Sequence, residues 1–182
     1  LILERCQGGE LFHRIDDEAR PPISEDALRV LLRELLRTVH QIHRLGYLHR
    51  NIQLENLLLV SSQSDFSFRL AGYNLCCTLE HAAATSELCG APGYIAPEII
   101  SGGKVGTPSD VWAIGVCAYC ALSPRGEFFY PFEAKSGDMH DEMKNSLAGK
   151  VRPWSRAVTA SDEAKAFVGS IFEVDTTRRP TI

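Results

Sequence analysis

Apolar residues are spaced along this chain in three ways, and each predicts a different element. Leu28, Leu31, Leu32, Leu35, Val39 and Ile42 recur at steps of three and four, which predicts one long amphipathic helix with a single buried stripe. Ser24 is a suitable N-cap for it, and Glu25 and Asp26 follow where the helix dipole favours acids. Gly46 supplies the stop. A second helix is predicted with Thr107 as its cap and Pro108 at its first position. From Val111 to Leu122 it is apolar nearly all round, so it is expected to be buried on most sides. A last helix opens at Ser161, with Ala164, Phe167, Val168, Ile171 and Phe172 on one face, and a shorter one is expected at Met139–Leu147. Residues 1–6 read as the end of a strand broken by Gly8-Gly9. Residues 10–15 read as a short helix in a segment ended by Pro21-Pro22. Two β-like pieces, 56–60 and 66–70, flank a polar turn at 61–65, and 74–93 reads as a loop of small and polar residues. The sum is a mostly helical domain with a few short strands.

Composition narrows the functional classes. The chain has 182 residues, of which 45% are hydrophobic and 23% charged, which suits one globular domain or a large piece of one. Nineteen basic residues against 23 acidic ones leave a net charge of −4. That balance gives no general attraction to nucleic-acid phosphates or anionic membranes, so neither is expected as a partner. The apolar run at 111–122 is too short to span a bilayer. The chain begins at Leu1 without a signal-peptide pattern, and it reads as an excerpt of a longer protein. The spacing of its six cysteines matches no disulfide framework. Cys117-x-x-Cys120 lies in the apolar helix; His40-x-x-His43, the pair that could complete a metal site, lies in another helix. Buried, inert cysteine is the favoured reading, and reduced thiols fit a cytoplasmic setting.

Four stretches in order carry the chemistry. They are Leu48-His49-Arg50-Asn51-Ile52-Gln53-Leu54-Glu55-Asn56, Leu70-Ala71-Gly72-Tyr73-Asn74, Cys89-Gly90-Ala91-Pro92-Gly93-Tyr94-Ile95-Ala96-Pro97-Glu98, and Asp110-Val111-Trp112-Ala113-Ile114-Gly115. Together they resemble the C-terminal lobe of a eukaryotic protein kinase. The first is similar to the catalytic loop H-R-D-L-x-x-x-N and the third to the A-P-E end of the activation segment. Asp175-Thr176-Thr177-Arg178-Arg179-Pro180 matches the family's late arginine motif. The opening Leu3-Glu4-Arg5-Cys6-Gln7-Gly8-Gly9-Glu10 resembles the hinge of serine/threonine kinases of the calcium/calmodulin-dependent group. The resemblance implies a kinase-like α+β fold: a mostly α-helical large lobe with short β-hairpins, the small lobe lying before Leu1. It divides the chain into a hinge at about 1–9, a catalytic-loop region at 47–60, an activation segment at 72–98 and a helical subdomain at 107–182.

The residues at the motif positions depart from the family pattern. Asn51 stands where the family has the aspartate that accepts the hydroxyl proton, and an amide has no useful basicity. Gln53 replaces the lysine that contacts the transferred phosphate, and Ala91 the threonine that bridges the two. Gly72 replaces the magnesium-binding aspartate, leaving Asn56 as the residual metal position. A single neutral amide is a poor site for a hard dication. By resemblance, Asn56 then serves to brace the catalytic loop, and Tyr73 packs inward. The residues that hold the lobe together remain: His49, Arg50, Glu98, Asp110 and Arg179. The resemblance implies that Glu98 pairs with Arg179 and that Asp110 hydrogen-bonds the catalytic-loop backbone. Glu87 stands where many members carry a phosphothreonine, and a carboxylate there can pair with Arg50, implying an activation segment ordered without phosphorylation. The backbone of Glu4 and Cys6, with Glu10 and Leu58, matches the family's adenosine contacts, which implies weak, metal-independent ATP binding and no required cofactor. Glu10 and Glu55 match positions that read basic peptides. The expected function is that of a pseudokinase, an inactive member that binds a protein partner, an active kinase or a basic segment, as scaffold or allosteric regulator. Two alternatives stand beside it: a serine/threonine kinase with an atypical site using Mg-ATP, and a non-functional fragment.

Overall fold

The computed structural model describes residues 3–63, 67–123, 130–155 and 158–182. Among the described residues, seven helices and five short strands follow one another: β1 (Gly9–Glu10), α1 (Leu11–Asp16), α2 (Glu25–Arg44), β2 (Tyr47–Leu48), β3 (Leu57–Leu59), β4 (Phe68–Leu70), β5 (Cys77–Thr78), α3 (Leu79–Ala84), α4 (Pro97–Ile100), α5 (Thr107–Leu122), α6 (Met139–Leu147) and α7 (Asp162–Ile171). Helix α2 follows its sequence pattern. Ser24 Oγ accepts from the Ala27 N–H at 3.2 Å, and Leu28, Leu31, Leu32, Leu35 and Val39 are buried. The Gly46 N–H closes the helix end on the His43 carbonyl at 2.9 Å, with φ +84°.

Helix α5 is the axis of the lobe, with every residue from Ser109 to Ala121 buried. Its cap differs from expectation: Gly106 is the N-cap, in extended conformation, and Thr107 is the first helical residue, so Pro108 occupies the second position. Its close crossing with α7 depends on Gly115, where a Cβ would lie 2.6 Å from Ile171 Cγ2. Glu25 ties α2 to α7 by accepting from the Ser161 N–H and hydroxyl, both at 2.8 Å, so one carboxylate serves two helix N-termini. Those bonds hold its acid form below the usual carboxylate range. Along α7, Val168, Ile171 and the capping Phe172 are buried, whereas Phe167 is exposed. Phe167 borders a groove of about 490 Å³ with Leu28, Leu32 and Leu36 of α2.

The strands form two small sheets. β1, β3 and β4 make an antiparallel sheet in that order, with Glu10 opposite Leu58 and Leu58 opposite Arg69. β2 pairs with β5, Leu48 opposite Cys77. The expected strand at 1–6 is not found at residues 3–6, and Leu1 and Ile2 lie outside the described residues. The strand begins instead at Gly9, after the Gln7 and Gly8 N–H groups have donated to the Val60 and Leu59 carbonyls at 3.1 and 2.9 Å. Gly8 lies close against β3: a Cβ there would lie 2.5 Å from Leu59 Cβ. Asn56 closes a 3-10 turn rather than opening β3, and β4 starts at Phe68, with Phe66 outside the described residues. The stretch 74–93 is not all loop, since β5 and α3 lie within it.

Among the described residues no helix is long and apolar enough to cross a membrane. The six cysteines are free thiols. Cys117 and Cys120 are buried in α5, and burial pushes both thiols well up, away from reactivity. Among the described residues no group of three or more His, Cys, Asp or Glu is placed to hold a metal. His43 is bonded to Asp110 instead.

Candidate functional site

The loop between β2 and β3 is anchored from below by Asp110, in the first turn of α5. Its Oδ2 accepts from the His49 N–H at 3.0 Å and lies 2.8 Å from His43 Nε2, while Oδ1 accepts from the Arg50 N–H at 2.9 Å. These bonds hold Arg50 at φ +62°, the one non-glycine residue with positive φ among those described. Arg50 Nε donates to the Leu75 carbonyl at 2.7 Å, joining the loop to the segment after β4. The His49 imidazole continues the same seam. Its Nε2 donates to the Ala71 carbonyl at 3.0 Å and its Nδ1 accepts from the Asn51 N–H at 3.3 Å. Burial holds the ring below its usual protonation range, partly offset by the nearby Asp110 carboxylate. Tyr73 meets His49 edge-on at 4.7 Å. It does not pack fully inward: the residue is 48% exposed, set in the 3-10 turn Tyr73–Leu75.

Above this anchor the polar residues of the cleft are amides bonded to one another. Asn51 Nδ2 donates to the Gly72 carbonyl and to Asn74 Oδ1, both at 3.3 Å. Gln53 Nε2 donates to Asn51 Oδ1 at 2.9 Å, and Asn56 Nδ2 to the Asn51 carbonyl at 2.8 Å. Ala91 borders the same small cavity as Asn51 and adds only a methyl group. Tyr94 closes the floor: its hydroxyl accepts from the Leu54 N–H at 3.4 Å, and burial drives its ionisation far up. Neutral amide oxygens and a glycine are the donors present where a divalent cation would sit, and a hard cation prefers carboxylates. The residues of this cleft do not fit a metal ion.

Glu98 and Arg179 form a second buried brace. Arg179 NH1 and NH2 donate to Glu98 Oε1 and Oε2 at 2.8 and 2.9 Å. Arg179 also donates to the carbonyls of Pro108 and Glu173, and its guanidinium lies 4.9 Å over the Trp112 ring. Ser109 Oγ adds a bond to Glu98 Oε1 at 2.9 Å. Removing one member of such a pair strands the other, at a cost of about 3–5 kcal/mol.

Other singled-out residues are placed less tightly. Glu87 Oε2 lies 3.5 Å from Arg50 NH1 with its side chain 61% exposed, a geometry worth less than about 1 kcal/mol. Glu4 is paired with Arg69 of β4 at 2.8 Å. Glu10 and Leu58 are register partners, and the half-buried Leu58 stands between the buried Leu57 and Leu59. Cys6 is half-buried. Glu55 Oε2 is buried and accepts no hydrogen bond from the described residues. Tyr94 and His43 complete the site and were not legible as such. Their partners lie 40 and 67 residues away, and no local pattern marks them.

The family description "Protein kinase domain" matches residues 1–182. This chain belongs to the protein kinase family. Among curated relatives, it is 33% identical over 186 residues to a probable serine/threonine-protein kinase fhkC of Dictyostelium discoideum, covering 100% of this chain and 30% of that protein. It is 33% identical over 183 residues to the calcium/calmodulin-dependent protein kinase type IV of Mus musculus, covering 100% of this chain and 37% of the relative. It is 34% identical over 188 residues to the hormonally up-regulated neu tumor-associated kinase of Homo sapiens, covering 100% of this chain and 24% of the relative. The kinase chain thus spans roughly a quarter to somewhat over a third of the length of these relatives. Its helix-rich α+β fold with two small sheets is that of a partial kinase domain resembling the large lobe.

Proposed function

We propose that this kinase-family chain is catalytically inactive and acts by binding a protein partner, as a scaffold or allosteric regulator in phosphorylation signalling. One observation carries the reading. The cleft holds a self-bonded set of amides, Asn51, Gln53, Asn56 and Asn74, around a glycine. The charged braces Asp110 and Glu98–Arg179 meanwhile keep full partners. Phosphoryl transfer rests on a positioned metal, neutralised phosphate charge and an acceptor for the hydroxyl proton. A positioned base is worth about 10²–10⁴ in rate. A metal contributes several kcal/mol of charge stabilisation, which is at least about 10²-fold more.

The partner is an active kinase or a basic peptide segment. Glu10, whose part-exposed carboxylate lies 3.5 Å from His13 Nε2, and Glu55, with a buried oxygen that accepts no bond from the described residues, are the groups that would receive its cationic side chains. Nucleotide enters as an optional ligand: ATP binds weakly and without metal through the backbone at Glu4 and Cys6, with Glu10 and Leu58 beside it. The free thiols support a reducing, cytoplasmic setting. The names of the serine/threonine kinase relatives favour a second reading, an active kinase with an atypical site using Mg-ATP.

Thermal melting with ATP, with and without Mg²⁺, tests the proposal in the full-length protein. A cooperative melt whose midpoint shifts equally with and without Mg²⁺, or not at all, is expected. Stabilisation that requires Mg²⁺ would favour the active enzyme, and the lack of any cooperative melt would favour a non-functional fragment.

A further inference from the structure

Three half-buried free thiols, Cys76, Cys77 and Cys89, lie at the two ends of one segment, and both ends meet at Arg50. Arg50 Nε donates to the carbonyl of Leu75, the residue before Cys76, at 2.7 Å. Arg50 NH1 lies 3.5 Å from Glu87, two residues before Cys89. Cys89 also borders a small cavity together with Arg50 and Asp110. It stands within electrostatic range of both Arg50 and Cys77. Cys117 and Cys120, by contrast, are buried in α5 and take no part.

The two ends are held unequally. Cys77 is fixed in β5, opposite Leu48 of β2. The far end has only the long, mostly exposed Glu87–Arg50 approach. Gly90, next to Cys89, has φ +117°, and a Cβ there would meet nothing closer than 3.4 Å, which is ordinary contact. The chain at 89 therefore has room to turn toward Cys77 while β5 stays paired. A covalent link between the two would close the chain around α3, adding a tie where the non-covalent one is weakest. Burial pushes the Cys89 thiol up while the Arg50 charge opposes that push. The link therefore forms slowly and calls for oxidant in excess.

We propose that Cys77 and Cys89 are a peroxide-responsive thiol pair whose disulfide ties the end of the activation segment to β5. One thiolate of the pair attacks the O–O bond of hydrogen peroxide, forming a sulfenic acid and releasing hydroxide, which takes up a proton to become water. The second sulfur attacks the sulfenic sulfur, the S–S bond forms, the S–O bond breaks, and a second water leaves. Two thiols are oxidised and one peroxide is reduced to two waters. In a reducing compartment such a link is transient. The pair stands whether or not the cleft is inactive.

Non-reducing peptide mapping of the folded, full-length protein after millimolar hydrogen peroxide tests the pair. The Cys77 peptide is expected cross-linked to the Cys89 peptide, and dithiothreitol releases it. Cys76→Ser keeps the link, whereas Cys77→Ser and Cys89→Ser each lose it. A link retained in Cys77→Ser, or oxidation that yields only sulfinic acids and no link, would overturn the proposal. If a serine variant does not fold, fragmentation of the wild-type cross-linked peptide identifies the sulfur, and Cys76 as the partner of Cys89 would overturn it. In a second arm, limited proteolysis between residues 78 and 90 slows at least several-fold in the oxidised protein and recovers with dithiothreitol; cleavage unchanged by oxidation would overturn the tie. Absence of the link leaves the inactive reading standing, whereas phosphate transfer by the wild type would overturn that reading and leave the thiol pair intact.

Discussion

At position 51 an amide does what a carboxylate there does not: it donates. Asn51 Nδ2 faces the Gly72 carbonyl and Asn74 Oδ1, both acceptors, and an ionised aspartate would meet them with acceptors of its own. The exchange therefore changes the hydrogen-bond polarity of the cleft as well as its charge. His49 provides a pH-dependent counterpart. Its Nδ1 must stay unprotonated to accept from Asn51 N–H, and burial favours that neutral form. A base held below its ordinary value near 6.5 takes up fewer protons folded than unfolded. Its contribution is complete above that value and is lost as the pH falls through and below it. The melting temperature is expected to drop more steeply between about pH 7 and 5 in the wild type than in His49→Gln; equal slopes would show that another group carries the acid sensitivity. At this scale the sequence is legible wherever a motif fixes a position, as at Asp110, Glu98 and Arg179. It is silent on Tyr94 and His43, whose roles arise only when distant segments meet.

Elements are legible in proportion to their length. Helix α2 gives its apolar stripe, cap and stop because six repeating positions outvote local noise. Helix α5 declares its burial by being apolar all round, yet its cap moves by one residue, since Gly106 reaches an extended conformation as readily as Thr107. β5 escapes notice because two residues carry no period, and they form a strand only by pairing with β2. α3 follows it, capped by Thr78 and seated by Ala82, which is fully buried. These contacts, more than the exposed Glu87–Arg50 approach, order the segment after β5. Limited proteolysis checks this: Ala82→Asp should speed cleavage between residues 78 and 90 at least several-fold, whereas Glu87→Ala leaves both cleavage and melting nearly unchanged. Equal sensitivity of the two variants would assign the ordering to the ion pair instead.

Across the molecule, the buried charges and the cleft residues divide into two sets with different chemistry. Asp110 and Glu98–Arg179 lock the catalytic-loop, activation-segment and helical regions around α5 with charge-assisted bonds. The cleft above them has traded charges for amides, and its polar groups largely satisfy one another. On the proposed reading, that arrangement keeps a surface for binding and lacks the means to hold a dication or take up a proton. The most direct test is transfer of radiolabelled phosphate from Mg-ATP to a basic peptide by the full-length protein, compared with Asn51→Ala. No transfer above background, identical in the two proteins, is the predicted result. Transfer by the wild type that Asn51→Ala abolishes would contradict it.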